Sequence, residues 1–234
     1  MAQSLGALGI EPVWLPDDPV LDPRLAGHGD LLAFAADRTV VLAENIYNGV
    51  FSSFDSVSSS SGIVNILTNM GYRVKHTLNR RGPRYPADAG LCVCATGKYT
   101  IYDPDTVDSA VKPLIGGVSV TVAQGYTKCA ACVVNDHSII TADAGVSRAA
   151  KNAGMDVLDI APGYIALDGY EYGFIGGASF KISNNVIAFT GTLDEHPDKE
   201  RILRFLAERG QKAVFLTPEP IFDIGGAIGL SALP

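Results

Sequence analysis

Long apolar runs are missing from this 234-residue chain. None approaches the roughly 18–20 residues of a membrane helix, so no spanning segment is expected. Positive charge is scarce: 18 Lys and Arg against 25 Asp and Glu leave a net charge of −7. That is the wrong field for nucleic acid or an anionic membrane surface. Cysteine is sparse too, and four in a chain of this size do not make a disulfide framework. A reducing cytoplasm is the expected compartment. The start, MAQSLGALGIEPVW, lacks the basic region and apolar core of a secretory signal. It opens almost inside a helix, which leaves room for a strand ahead of it. Neither G-x-x-x-x-G-K-[ST] nor G-x-G-x-x-G occurs, which argues against the common phosphate-cradling loops.

What is present is ample material for a core. Hydrophobic residues make up 47% and charged residues 18% of the chain, enough burial to offset the entropy of ordering. Four segments share one pattern, an apolar run, a turn and a second apolar run: LLAFAADRTVVLAE, GLCVCATGKYTIYD, CAACVVNDHSIITAD and GGASFKISNNVIAFTG. Their turns, at Asp37-Arg38, Gly97-Lys98, Asn135-Asp136 and Asn184-Asn185, use residues suited to tight hairpins. Each hairpin is followed by a helix-like stretch and a further apolar strand. HPDKERILRFLAERGQKAVFLTP is the clearest case. Pro197 suits a first turn, Ile202, Phe205 and Leu206 recur at helical spacing, Gly210 stops the helix, and Ala213 to Leu216 is a strand. SRAAKNAGMDVLDIAP repeats this with Gly154 and Val157 to Ile160. SSGIVNILTNMGYRVKHTL does so with Ser61 as N-cap, Gly71 as stop, and Tyr72 to Leu78 as strand. DPDTVDSAVKPLIGGVSVTVAQ is a poorer copy, because Pro113 must distort its helix. The serine run FSSFDSVSSSS reads as a surface loop.

The two ends are complementary. SLGALGIEPVWLP is the helix-and-strand half of a unit, and IFDIGGAIGLSALP is the start of a hairpin. An open array would leave sheet edges unpaired, so a closed ring of five ββαβ units is expected, with strands central and helices outside.

At this point the chain resembles the pentein fold of guanidino-group-modifying enzymes, and within it a bacterial family of uncharacterised activity. The resemblance is carried by GHGDLLAF, YPADAGLCVCATGKYTIY, QGYTKCAACVVNDHSIITAD, YGFIGGASFKI, FTGTLDEHPDKERI and PIFDIGG. It spans nearly the whole chain. It implies an α/β architecture, a five-bladed α/β propeller formed as one domain over residues 1–234, with any site near the pseudo-symmetry axis. Enzymes of the superfamily set a cysteine thiolate against a guanidinium carbon, move protons with a histidine and hold the cation with carboxylates; for this chain no cofactor or metal is expected. Their nucleophile lies in the last unit after a Gly-Gly stretch. Here that region, DIGGAIGLSALP, contains no cysteine. The fold also has members that bind ribosomal particles and catalyse nothing, so fold alone does not decide function.

If each unit sends the start of its hairpin to the axis, the lining residues are His28 and Asp30, Asp88, Lys128 and Cys129, Gly176 and Gly177, and Asp223. In that scheme Cys129 is the nucleophile, its pKa lowered by Lys128 or a protonated His28. His28 is the acid/base, and Asp30, Asp88 and Asp223 orient the histidine or a cationic substrate. Gly176 and Gly177 permit close backbone approach or open the pocket floor. Cys129 can equally be a small packing residue. Asp30, Asp88 and Asp223 can equally be loop caps. Cys132 is expected to pack, His137 and His196 to face solvent, and His76 points either way. A four-thiolate zinc site is disfavoured, because Cys92 and Cys94 share one strand face while residues three apart do not. A thioredoxin-like pair would need a helix after Cys132, where the sequence reads as hairpin. Two functions follow: a cysteine-dependent hydrolase or transferase acting on a guanidine- or amide-like small molecule, or a scaffold that binds a small molecule or protein. Self-association of identical chains is compatible with either.

Overall fold

Four short hairpins, each completed by a parallel third strand, account for the strands among the described residues. The computed structural model describes residues 1–49 and 60–231, and only the backbone of Ser60 and Ser61. The serine-rich insertion and the expected Ser61 cap therefore fall outside the described side chains.

The chain begins with α1 (Ala2–Ala7) and reaches the first unit through α2 (Gly29–Leu32). That unit comprises β1 (Ala33–Ala36), β2 (Thr39–Leu42), α3 (Glu44–Asn48), α4 (Ser60–Asn69) and β3 (Arg73–His76). The second unit has a 3-10 turn at Ala89–Leu91, then β4 (Cys94–Ala95), β5 (Tyr99–Tyr102), a 3-10 turn at Lys112–Leu114 and β6 (Val118–Thr121). The third has α5 (Thr127–Ala130), β7 (Ala131–Asn135), β8 (Ser138–Thr141), α6 (Ala144–Asn152) and β9 (Asp156–Asp159). The fourth has β10 (Ser179–Ser183), β11 (Val186–Phe189), α7 (Lys199–Glu208) and β12 (Lys212–Phe215).

In every unit the first two strands pair antiparallel and the third pairs parallel with the second. The middle strands are the most deeply buried; β2 and β8 are buried at all four positions. First strands of neighbouring units approach one another, β4 with β7 and β7 with β10. Third strands, half-exposed, carry the helices on their outer side, as α6 does on β9 and α7 on β12. Asp143 caps α6 by accepting from the Val146 N–H at 2.8 Å. Pro113 has the expected effect, leaving only three residues of 3-10 helix where the other units have α-helix.

The fifth unit is not a sheet. No strand forms between residues 8 and 28 or between 221 and 231, where only isolated bridges, Ala166 with Phe222 and Thr192 with Pro220, occur. Pro12, Pro16 and Pro19 remove donors from the first stretch, and Gly225 and Gly226 take left-handed φ of 73° and 66° in the second. Both ends instead fill the space between the fourth and first units. Leu5 of α1 packs with Ala188 and Leu216, and the Ser4 hydroxyl donates to Leu216 O at 2.7 Å. The C-terminal stretch leaves the fourth unit at Phe222 and ends on the first, where Ile228 and Leu230 join the core and Ser231 bonds Tyr72 and Arg38.

Candidate active site

Each hairpin is entered through a single tight turn, at residues 29–32, 89–91, 127–130 and 175–178. These turns are too short to leave a periodic pattern in sequence, and they set which side chains meet. The residue two positions before each first strand is Leu31, Cys92, Cys129 and Gly177 in turn. Equivalent positions converge. Cys92 Sγ lies 3.5 Å from Cys129 Sγ, and the Gly177 N–H donates to Cys129 O at 3.1 Å. The Thr127 hydroxyl, donating to Cys92 O at 2.9 Å, ties the second and third turns together.

The first unit contributes Asp30, whose Oδ2 accepts from the Cys129 thiol at 2.6 Å. Asp30, Cys92 and Cys129 are all buried, and one ligand atom from each lies within 4.8 Å of the others. Asp30 Oδ1 has no hydrogen-bond partner among the described residues. Burial, and after it the Asp223 carboxylate, push the Asp30 pKa up to about 7. The Cys129 thiol is raised well above its ordinary value by its bond to Cys92, by burial, and by the Asp30 and Asp223 carboxylates. The proton therefore rests on sulfur. This corrects the expectation of a thiol acidified by Lys128 or His28: low-dielectric surroundings and facing carboxylates outweigh any cation.

His28 precedes α2 and is only 8% exposed. Its Nδ1 is 4.0 Å from Asp223 Oδ1. Burial lowers its pKa and Asp223 opposes that, with the net direction downward, so the ring is neutral at pH 7. Asp223 is committed to the backbone: Oδ2 accepts from Phe174 N and Oδ1 from Gly225 N, both at 2.8 Å. It can orient His28 but has little left for a substrate. Gly225 O accepts from Asp30 N at 2.9 Å, and Gly177 O accepts from Gly226 N at 2.7 Å. The C-terminal stretch thus bridges the first and fourth units. Gly177 has no room for a side chain, because a Cβ there would lie 1.9 Å from Asp223 Oδ1. Gly176 is equally crowded, with Lys128 O 2.3 Å from its would-be Cβ. Close backbone approach, not an open pocket floor, is what these glycines provide. Lys128 is half-buried and donates to Gly176 O at 3.1 Å.

Asp88 stands one turn further back than expected, because it precedes the Ala89–Leu91 turn. Its Oδ2 accepts from the Tyr126 hydroxyl at 2.7 Å, while its buried Oδ1 has no partner among the described residues. Burial raises its pKa against the Tyr126 bond, and burial with Asp88 raises that of Tyr126. Tyr126 and Cys92 had escaped assignment to the site. Counting back from each hairpin would have found Cys92; nothing in the sequence marks Tyr126.

Cys94 and Cys132 lie in separate core clusters, so no four-thiolate site forms among the described residues. Cys132 packs, as expected. The zinc objection itself rested on Cys129 lying in a strand, whereas it occupies α5. His137 is exposed against Tyr99, while His76 is half-buried and bonded to Thr77 O. His196 is not solvent-facing: it is 3% exposed, its Nδ1 accepting from Asp198 N and its ring against Tyr164. Its own carbonyl accepts from Lys199 N at 3.0 Å, which ties it to the start of α7. Two surface recesses, beside Gln124 and Arg148 and beside Arg80 and Asp105, are lined by none of the candidate residues; the second comes as near as Ala87, next to Asp88. The thiol cluster is enclosed, with Lys128 and His28 its most exposed members.

A repeated unit of hairpin, helix and parallel strand, with loop residues from successive units meeting in one place, defines the pentein class, and comparison with solved structures agrees. An inosamine-phosphate amidinotransferase from Streptomyces griseus is 10% identical over 99% of this chain and 80% of its own, with a TM-score of 0.55. DDAH from Pseudomonas aeruginosa, a variant complexed with citrulline, is 11% identical over 91% and 78%, with a TM-score of 0.52. An amidinotransferase of saxitoxin biosynthesis from Microseira wollei is 9% identical over 91% and 74%, at 0.52. At such identity these likenesses establish the fold. The chain belongs to the family of unknown function DUF6873, whose model matches residues 1–228. No curated protein matches it in sequence. Among the described residues no helix is long and apolar enough to cross a membrane.

Proposed function

We propose that this protein is a cysteine-dependent hydrolase or transferase acting on the electrophilic carbon of a guanidine- or amide-like small molecule. The observation that carries the reading is the 2.6 Å contact between the Cys129 thiol and Asp30, a nucleophile already bonded to its base. Asp30, with a pKa of about 7, is matched to taking and returning a proton near neutrality. Cys129 gives its proton to Asp30 as sulfur bonds to the carbon. The carbon–nitrogen bond then breaks and Asp30 returns the proton to the leaving nitrogen. Neutral His28, oriented by Asp223, deprotonates the water or amine that attacks the carbon; the carbon–sulfur bond breaks and that proton passes from His28 to the Cys129 sulfur. The unpartnered oxygens of Asp30 and Asp88 are suited to a substrate's N–H groups. In this reading residues 1–234 form one propeller in the cytoplasm, the two chain ends supplying its fifth part.

A second reading, a binding scaffold without turnover, is favoured by the raised Cys129 pKa and by the lack of cysteine in the C-terminal stretch. Chloroacetamidine, a guanidine-shaped electrophile, separates the two. The enzyme reading expects one covalent adduct by intact mass at neutral pH, mapping to Cys129, absent in Cys129→Ala and slowed in Asp30→Asn. A folded protein that stays unmodified over hours supports the scaffold and removes the proposed nucleophile.

A further inference from the structure

We infer that Cys92 and Cys129 form an oxidative modification site, closing to an intramolecular disulfide in reaction with a hydroperoxide. The reacting pair is set by the repeat. Both cysteines occupy the position two residues before the first strand of their unit. Neighbouring units face these positions toward one another, and the sulfurs stand 3.5 Å apart. A disulfide bond is about 2.05 Å long, so the sulfurs must close by about 1.5 Å. Both flanking segments are already fastened together: the Thr127 hydroxyl donates to Cys92 O at 2.9 Å, and Lys128 N to the same oxygen at 3.4 Å. Closure is left to side-chain rotation. The other two cysteines belong to different core clusters, which singles out this pair.

The chemistry needs a base, and Asp30 Oδ2 is in contact with Cys129 Sγ. Asp30 takes the thiol proton, and sulfur attacks one peroxide oxygen. The O–O bond breaks, and the departing hydroxide takes the proton from Asp30 to leave as water. Cys129 is now a sulfenic acid. Cys92 attacks its sulfur, the S–O bond breaks, and the hydroxide leaves as water with the Cys92 proton. Two thiols are oxidised and one hydroperoxide is reduced, yielding one disulfide and two waters from hydrogen peroxide. A disulfide here consumes the proposed nucleophile, so oxidation would also silence the reaction proposed above. The inference shares the Asp30–Cys129 pair with that reaction but needs no guanidine-like substrate, so the two can fail separately.

The test treats the full reduced chain with stepwise equivalents of hydrogen peroxide at pH 7.5, then unfolds it in the presence of N-ethylmaleimide and counts labels by mass. The expected result is a fall from four labels to two, a cross-linked Cys92–Cys129 peptide in the non-reduced digest, and recovery of four labels with dithiothreitol. Cys92→Ser should lose the cross-link and leave a dimedone-trapped sulfenic acid at Cys129; Cys94→Ser and Cys132→Ser should still form it. Four labels at ten equivalents, or a cross-link between any other pair or between chains, overturns the inference. Peptide mapping of the unsubstituted protein decides the matter even where a variant fails to fold. A reduced protein that chloroacetamidine leaves unmodified but that peroxide still cross-links would refute only the proposed reaction.

Discussion

Asparagine in place of Asp30 separates what this carboxyl does for the site from what it does to stability. Burial, then Asp223, raise its pKa from 3.8 to about 7. Between those values the folded protein keeps a proton that the unfolded chain releases. A raised carboxyl pKa gives its full contribution below the unfolded value and loses it as pH climbs to the folded value. At about 1.36 kcal/mol per unit, the loss reaches about 4 kcal/mol by pH 8, of which about 2.5 kcal/mol falls between pH 5 and pH 8. Asp30→Asn keeps an acceptor for the Cys129 thiol but has no proton to release. It also introduces an amide donor beside the unpartnered Oδ1 position, costing about 1–3 kcal/mol at every pH. His28 titrates with the opposite sign, its lowered pKa making stability rise with pH up to the ordinary value, and it is common to both proteins. Urea melts at pH 5, 6, 7 and 8 should therefore show wild type losing about 2.5 kcal/mol more than the variant across the range. Meanwhile adduct formation at Cys129 should slow at least about 100-fold in the variant, the usual scale of a lost general base. Parallel pH profiles for the two proteins would refute the reasoning, because they would mean that Asp30 is ionised throughout.

Three other perturbations test the geometry. Gly177→Ala drives a Cβ into Asp223, combining overpacking with loss of charge-assisted bonds, and should cost about 3–5 kcal/mol in urea melts; exposed Gly116→Ala, with nothing within 4 Å, should change stability by less than about 1 kcal/mol. Arg81→Ala leaves buried Asp18 without its guanidinium and Leu31 O without a donor, a loss of about 3–5 kcal/mol that Lys should recover poorly in thermal melts. Tyr126→Phe strips Asp88 of its one side-chain donor among the described residues; it should cost about 1–3 kcal/mol and, by raising the Asp88 pKa further, steepen the decline of stability as pH rises above the ordinary carboxylate value.

The repeat was readable because each unit writes its hairpin and helix in a dozen or more residues. The β5–β6 and β8–β9 pairings and the stops at Gly154 and Gly210 lie within a residue or two of where periodicity puts them. Two features were hidden. The turns before the hairpins are three or four residues long and carry no period, so Asp88 was placed level with Cys129 when it lies one turn behind. The two chain ends read as complementary halves of a fifth unit, with IFDIGG opening its hairpin. Left-handed backbone at Gly225 and Gly226 turns the chain instead, which only coordinates reveal. Burial is likewise non-local: the direction of the Cys129 pKa depends on Cys92, Asp30 and Asp223, which lie 37, 99 and 94 residues away in sequence.

The missing C-terminal cysteine has a structural counterpart. After Gly226 the chain does not stay beside the thiol cluster; Ile228 and Leu230 turn into the core of the first unit and Ser231 is held by Tyr72 and Arg38. This stretch therefore spends its side chains on joining the fourth unit to the first and offers the thiol cluster only backbone, through Gly225 O to Asp30 and Gly226 N to Gly177. A thiol can still reach the same place from another unit, since quasi-equivalent turns present quasi-equivalent positions. The second and third units each place a cysteine there, the first an apolar Leu31 and the fourth a glycine that lets the chain pass. A single repeated position thus supplies both the candidate nucleophile and the sulfur beside it.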